Sequence, residues 1–316
     1  MSLAISAFVG ATLVVALLPP IRENPNMIPA SFDYIAPQTL DEAVRALVEH
    51  GEDAKVLAGG HSLLPLMKFR LANPKILIDL RKIPGLNDIK EQAGNIVIGA
   101  LTTHYQIESS ALLKQKCPLL SQTAHAIGDV QVRNRGTIGG SVTHADPAAD
   151  WPAAILALGG ELKLNGPNGE RTLDAEKFFL GAMTTAIDPT EILTEIRVPA
   201  FARRFGSAYL KMAQQASGFA IVGVAVWLKA GEQGGCEEIG IGLTGVSDKP
   251  FRAHSVEAQV RGNKLTAKLI DESASQVAIG IDPVADLHAS AEFRAHLARV
   301  YTSRAIQEAS RQASRP

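Results

Sequence analysis

Two glycine pairs flanked by small hydroxyl or imidazole side chains stand about eighty residues apart, at Ala58-Gly59-Gly60-His61-Ser62-Leu63 and Thr137-Ile138-Gly139-Gly140-Ser141. A glycine pair carries no Cβ to hold a ligand away and tolerates positive φ, so consecutive backbone N–H groups can converge on a phosphate oxygen while neighbouring hydroxyls add donors. Two such segments can close on a pyrophosphate from both sides. A single Gly-Gly reads as an ordinary turn between strand and helix. The second segment shifts the balance, because Arg133, Asn134, Arg135, His144, Asp146 and Asp150 crowd around it, a density of polar groups that a structural turn does not need. A carboxylate such as Asp150 can accept hydrogen bonds from ribose hydroxyls or an adenine amine. His144, Asp146 and Asp150 also have the chemistry of divalent-ion ligands, but no second histidine cluster at ligand spacing and no HExxH accompany them, so no metal site is assigned. His61 lacks a neighbouring nucleophile motif and reads as a loop imidazole bonded to backbone or phosphate rather than as a general base. No catalytic residue is assigned. Further along, Lys211 can set an ammonium against a developing anion and Tyr209 can stack on an aromatic ligand, although singly each reads as a surface lysine and a packed tyrosine. Neither GxGxxG nor the Walker lysine loop occurs, which disfavours a Rossmann domain or a nucleoside triphosphatase.

Elements must bring these groups together. Thr39 and Glu42 have the spacing of a capping box, Leu40, Ala43, Val44, Leu47 and Val48 fall on one helical face, and Gly51 supplies the stop. A short strand at 56–58 runs directly into the first glycine pair, giving the strand, glycine turn and helix layout of a phosphate site. Strands are expected at 76–80 and 96–100, helical stretches at 105–113 and 119–127, the second glycine pair in a loop, and an apolar helix at 152–158. Residues 161–164 and 171–173 flank a hairpin turn, and 192–198 form a strand ended by Pro199. Arg203-Arg204 marks a domain border, beyond which strands at 206–212, 220–228 and 238–246 precede helices at 254–260 and 267–279, a compact α+β unit. Residues 289–310 have helical periodicity with Arg-rich faces.

At 316 residues, 46% hydrophobic and 20% charged, the chain can bury a large core and is long enough for two or three domains. Its formal charge of -1 argues against a broad footprint for nucleic acid or anionic lipid. Its two cysteines, Cys117 and Cys236, lie far apart without a CxxC, so this chain alone builds neither a thiolate metal cage nor an iron-sulfur cluster. Residues 3–18 form a charge-free apolar run with no Lys or Arg before it and no small-residue cleavage site at Leu18-Pro19-Pro20. Residues 1–26 are therefore read as a disposable leader or mis-assigned start, with Met27 as the functional beginning and a membrane contact as the alternative.

Three stretches, residues 58–65, 133–141 and 144–150, in this order and spacing, resemble the FAD-binding medium subunit of molybdenum hydroxylases, of the aerobic carbon monoxide dehydrogenase and xanthine dehydrogenase type. The resemblance runs from Met27 to about Gln307. It implies an α+β fold of the vanillyl-alcohol-oxidase-like (PCMH-type) class: an FAD-binding domain at 27–202 with subdomains at about 27–82 and 83–202, a smaller C-terminal α+β flavoprotein domain at 203–285 and a helical tail at 286–316. It further implies that Ala58, Gly59, Gly60, His61, Ser62 and Leu63, with Thr137, Ile138, Gly139, Gly140 and Ser141, cradle the FAD pyrophosphate, that Asp150 binds the adenosine end, and that Leu193 and Lys211 approach the isoalloxazine, with Tyr209 a weaker carry-over. The implied partners are a small subunit with two [2Fe-2S] clusters and a large subunit with the molybdenum cofactor, as a dimer of heterotrimers in the cytoplasm or peripheral at the inner face of the membrane. The chain would then be the electron outlet to an external acceptor. The alternative reading is a self-contained flavin oxidoreductase of the same fold using a nicotinamide cofactor. The cysteine count excludes the subtype with an extra iron-sulfur insertion in this subunit.

Overall fold

The computed structural model describes residues 28–201, 205–231 and 235–314; the leader at 1–26, the start at Met27 and the Arg203-Arg204 border lie outside them. The first layer runs β1 (Asp33–Ile35), α1 (Leu40–His50), β2 (Ala54–Leu57), α2 (Leu63–Lys68) and β3 (Ile76–Asp79). Its sheet has the order β1-β3-β2 with both pairings parallel. Parallel strands need crossovers, and α1 supplies the one from β1 to β2, which flank β3, by burying Ala43, Val44 and Leu47 in a cluster with Ile78 and Leu80. The Thr39 hydroxyl starts α1 by accepting from the Glu42 N–H at 3.2 Å. The reciprocal half of the expected capping box is not made, since the Glu42 carboxylate accepts from the Gln38 N–H at 2.7 Å. Because β2 ends at Leu57, the first glycine segment leaves the C-terminal end of a parallel strand, where such sheets open their ligand crevices.

The second layer holds β4 (Ile89–Gln92), β5 (Asn95–Gly99), α3 (His104–Ser109), α4 (Ala111–Lys116), α5 (Pro118–Ala126), α6 (Val130–Arg135), α7 (Ile138–His144), α8 (Asp150–Ala157), β6 (Glu161–Gly166), β7 (Gly169–Asp174), α9 (Ala175–Phe178), β8 (Phe179–Gly181), β9 (Thr184–Thr185) and β10 (Ile192–Pro199). Five of its strands form an antiparallel sheet, β4-β5-β10-β6-β7. The helix expected at 105–113 is two helices, because Ser110 leaves the helical region (φ -60°, ψ 119°) and its hydroxyl caps the Leu113 N–H at 3.3 Å. A full capping box occurs at Thr103 and Gln106, where the sequence reading placed none.

The third layer is a four-stranded antiparallel sheet of β11 (Phe205–Ala213), β12 (Ala220–Ala230), β13 (Cys236–Thr244) and β14 (Phe251–Arg252) in sequential order, with α10 (His254–Val260), α11 (Ala267–Ser275) and α12 (Ala291–Ala313) after it. Helix α12 packs against β11 and β12 and shares their apolar cluster through Leu297, Ala298, Ala305 and Ile306. Helix α8 also packs against β12 and β13. Gly240 and Gly242, two apart on β13 and so on one face, let the helix backbone reach the sheet: a Cβ on either would collide with the carbonyl of Ala157 or Ala153. The Trp227 indole N–H donates to the Ala157 carbonyl at 2.5 Å across the same contact.

Gly242→Ala is therefore expected to cost about 1–3 kcal/mol or more by overpacking against backbone that cannot rotate away. Gly181→Ala, whose Cβ would open on free space, should change stability by less than about 0.5 kcal/mol. Equilibrium denaturation of the two variants checks the pair.

Candidate functional site

A cleft of about 890 Å³ lies where the three layers meet, lined by the first glycine segment, Thr137, Ser141, Asp150, Leu193 and Phe219, among others. That volume is within the roughly 300–1,000 Å³ usual for cofactor pockets. In the first segment Gly60 sits at φ 79°, a conformation that favours glycine. The carbonyls of Gly60 and Ser62 turn into α2, accepting from Leu64 and Leu66 at 3.0 and 3.2 Å. The N–H groups of Gly59, Gly60, His61, Ser62 and Leu63 have no protein acceptor among the described residues. Five successive donors thus remain for an anion, which is the construction of a backbone nest.

The second segment is built differently from the expected loop. Thr137 caps α7, its hydroxyl oxygen accepting from the Gly140 N–H at 3.1 Å, so the glycine pair lies in the first turn of a helix. The Ile138 N–H donates to Thr102 at 3.0 Å, Gly139 to Ala100 at 2.9 Å and Ser141 to the Thr137 carbonyl at 3.0 Å, and the Ile138 side chain is fully buried in the core. The four backbone donors of residues 138–141 are taken by protein, and the Thr137 N–H alone has no protein acceptor among the described residues. What this side offers the cleft is the hydroxyls of Thr137 and Ser141 and a surface without bulk. The glycines themselves answer to packing: a Cβ on Gly139 would lie 2.5 Å from that of Ala100, and one on Gly59 would strike the Arg135 carbonyl and lie 2.9 Å from Gly136 Cα. The symmetrical backbone clamp is therefore one-sided, with main-chain donors from residues 59–63 and hydroxyls facing them.

Asp150 opens α8 and fronts the cleft at 5% exposure. Behind it, Lys211 Nζ donates to both carboxylate oxygens at 3.0 and 3.1 Å and to the Gly218 carbonyl at 2.7 Å, and the Tyr209 hydroxyl donates to Asp150 Oδ1. Burial pushes the Asp150 carboxyl upward, opposed by the Lys211 ammonium and the Tyr209 hydroxyl. Burial and then the Asp150 charge hold the Tyr209 phenol well above its usual value. Neither Lys211 nor Tyr209 lines the cleft, so the ring stacking expected of Tyr209 is not available; its hydroxyl is directed at Asp150. The strand opposite makes room for it, since a Cβ on Gly223 would lie 2.5 Å from the Tyr209 oxygen. Leu193, on β10, reaches the cleft at 4% exposure. His144 and Asp146 line it as well, but no cluster of three or more metal-ligating side chains forms among the described residues.

His104, which the sequence reading passed over, also lines the cleft. It stands next to the Thr103 cap, the one local signal that could have drawn attention to it, and is 4% exposed. Burial, then the charges of His61 and Arg133, lowers its pKa from 6.5 to about 4, so it is neutral near pH 7.

Two layers of helices and strands facing a donor-lined cleft, with a third layer packed against them, fit an FAD-binding flavoprotein. Residues 30–201 match the family described as the FAD binding domain in molybdopterin dehydrogenase, and residues 207–309 the CO dehydrogenase flavoprotein C-terminal domain. The carbon monoxide dehydrogenase medium chain of Hydrogenophaga pseudoflava is 41% identical over 285 residues, covering 90% of this chain and 98% of that protein. A solved structure of the carbon monoxide dehydrogenase from that organism, lacking the Mo-pyranopterin moiety of the molybdenum cofactor, aligns with a TM-score of 0.86 at 42% identity, covering 89% of this chain and 98% of the other. The glyceraldehyde dehydrogenase medium chain of Sulfolobus acidocaldarius is 37% identical, covering 89% of this chain and 99% of that protein. The chain belongs to the FAD-binding medium subunits of the molybdenum hydroxylases. It is the flavoprotein subunit of a multi-subunit oxidoreductase, it has the vanillyl-alcohol-oxidase-like α+β fold, and FAD is its cofactor. No helix among the described residues is long and apolar enough to cross a membrane.

Lys211→Met leaves a buried carboxylate without its cation and is expected to cost about 3–5 kcal/mol, with the Asp150→Asn/Lys211→Met double variant recovering part of the loss in a denaturation series. For His104 the folded pKa lies below the unfolded one, so its contribution is complete above pH 6.5 and is lost as pH falls toward 4, roughly 3 kcal/mol in all. His104→Gln should flatten that part of the stability–pH curve relative to wild type.

Proposed function

We propose that this subunit is the electron outlet of a molybdenum hydroxylase: its bound FAD takes electrons from [2Fe-2S] clusters of a small partner subunit and delivers them to an external acceptor. The reading rests on one observation, the row of unpartnered N–H groups at residues 59–63 at the mouth of a parallel strand, which suits the two phosphates of a dinucleotide. Thr137 and Ser141 close on the same phosphates with their hydroxyls. Leu193 supplies apolar surface for a ring. The ion pair between Asp150 and Lys211 favours placing the two together rather than dividing them between the adenosine and isoalloxazine ends as the resemblance implies. We assign both to the flavin end, where Lys211 also holds the Gly218 carbonyl and Phe219 offers an aromatic wall. Lys211 stands behind Asp150 rather than in the cleft wall, so its charge would reach the ring as half of a pair rather than as a free ammonium.

Cys117, between α4 and α5, and Cys236, on β13, are both buried, which supports assigning the clusters to another chain. The medium chains of a carbon monoxide dehydrogenase and a glyceraldehyde dehydrogenase, enzymes named for unlike substrates, both resemble this chain along nearly its whole length. Substrate choice therefore belongs in a large molybdopterin-bearing partner, and the assembly we propose is a dimer of heterotrimers in the cytoplasm, or peripheral at the inner face of the membrane.

The purified chain should carry FAD in equimolar amount by visible absorption and by chromatography of the released cofactor, and should oxidise neither NADH nor a candidate substrate without partners. A colourless chain that refuses added FAD would overturn the proposal. Steady turnover with NADH alone would favour a self-contained oxidoreductase instead.

A further inference from the structure

We propose that His104 is itself a cofactor-binding residue, its Nε2–H donating a hydrogen bond to a phosphoryl oxygen of the dinucleotide held over the first glycine segment. The inference rests on the FAD reading of the cleft and extends it to a side chain that neither the motifs nor the resemblance includes.

The tautomer is set by a single contact. The indole N–H of Trp151, a group that can only donate, stands 3.1 Å from His104 Nδ1, so Nδ1 accepts and the imidazole proton is on Nε2. Trp151 is fully buried in α8, and the two rings lie 5.8 Å apart at 46°, which fixes the imidazole in position. The His104 main chain is held as well, its N–H donating to the Gly136 carbonyl at 3.0 Å.

Nε2 has no protein partner among the described residues, yet it is not one of the buried polar atoms sealed from solvent. A residue exposed by only 4% and lining the cleft must therefore present this atom to the cleft. A methyl group on Gly136 would lie 2.6 Å from Nε2, so the glycine keeps the approach open. Gly136 in turn packs against Gly59, which puts the imidazole next to the foot of the row of free N–H groups. The groups converging here are all donors: the N–H groups of 59–63, the hydroxyls of Thr137 and Ser141, and Nε2–H. An oxyanion satisfies such a set, whereas a neutral ligand with its own donors does not. A neutral histidine adds a directed donor without placing another buried charge beside Arg133.

The test uses the full chain stripped of FAD and titrated with FAD, ADP and riboflavin, with binding read by fluorescence or calorimetry. His104→Ala should weaken FAD and ADP by about 10- to 100-fold, the range for a hydrogen bond to a charged group, and leave riboflavin unchanged because it lacks the pyrophosphate. His104→Gln, which retains an acceptor for Trp151 and a donor for the cleft, should recover most of the loss. Nitrogen-15 spectra of the wild-type imidazoles supply a readout that does not depend on folding of a variant: a proton on Nε2 of His104 whose resonance moves on addition of ADP. FAD and ADP affinities within about twofold of wild type in folded His104→Ala, or a proton found on Nδ1, would overturn the proposal while leaving the cleft intact. A wild-type chain that binds none of the three ligands would overturn the cleft and this proposal together.

Discussion

The structure depends on one short helix with no solvent side. All eight residues of α8 are buried, and each end meets a different demand. At its start Asp150 fronts the cleft and is matched from β11 by Lys211 and Tyr209, while Trp151 fixes the imidazole of His104. Along its length Ala153 and Ala157 lie on β13 so closely that only glycine is tolerated opposite them. A helix on which two domains pack must be narrow, which explains Ala153, Ala154 and Ala157, and it cannot shift without moving the cleft wall. The segment before it is tied down in the same way, because the Thr244 hydroxyl donates to the carbonyls of Pro147 and Ala149, both at 2.8 Å. The C-terminal sheet therefore acts on the cofactor site through the backbone of residues 147–157 as well as through side chains.

Local order was readable because it is carried by local chemistry. The amphipathic face of α1, the strand end at Pro199 and the β6–β7 hairpin are products of spacing and turn residues. The hairpin turn is tighter than its five-residue motif suggested, since Gly166 and Gly169 pair directly. Partners far apart in the chain were not readable. Asp150 and Lys211 are separated by 61 positions and His104 and Trp151 by 47, and no periodicity links either pair. The resemblance placed Asp150 and Lys211 at the site, but not in contact with each other.

Glycine carries the least information of all, and the two pairs show why. An absent side chain looks the same in sequence whether it makes way for a ligand, for positive φ or for another stretch of backbone. Here Gly60 answers to φ, Gly59 and Gly139 answer to protein neighbours, and Gly140 answers to the capping hydroxyl of Thr137. What separates the segments is the destination of their N–H groups, which is set by the neighbouring helix and carbonyls. Helix α2 takes the carbonyls of the first segment and leaves its donors free, whereas α7, the Thr137 cap and the carbonyls of Ala100 and Thr102 take the donors of residues 138–141 in the second. An anion needs only one such row, provided the opposite wall lets it approach. The second pair meets that need by having no bulk, so glycine can be required on both walls of the cleft although only one of them supplies a row of backbone donors.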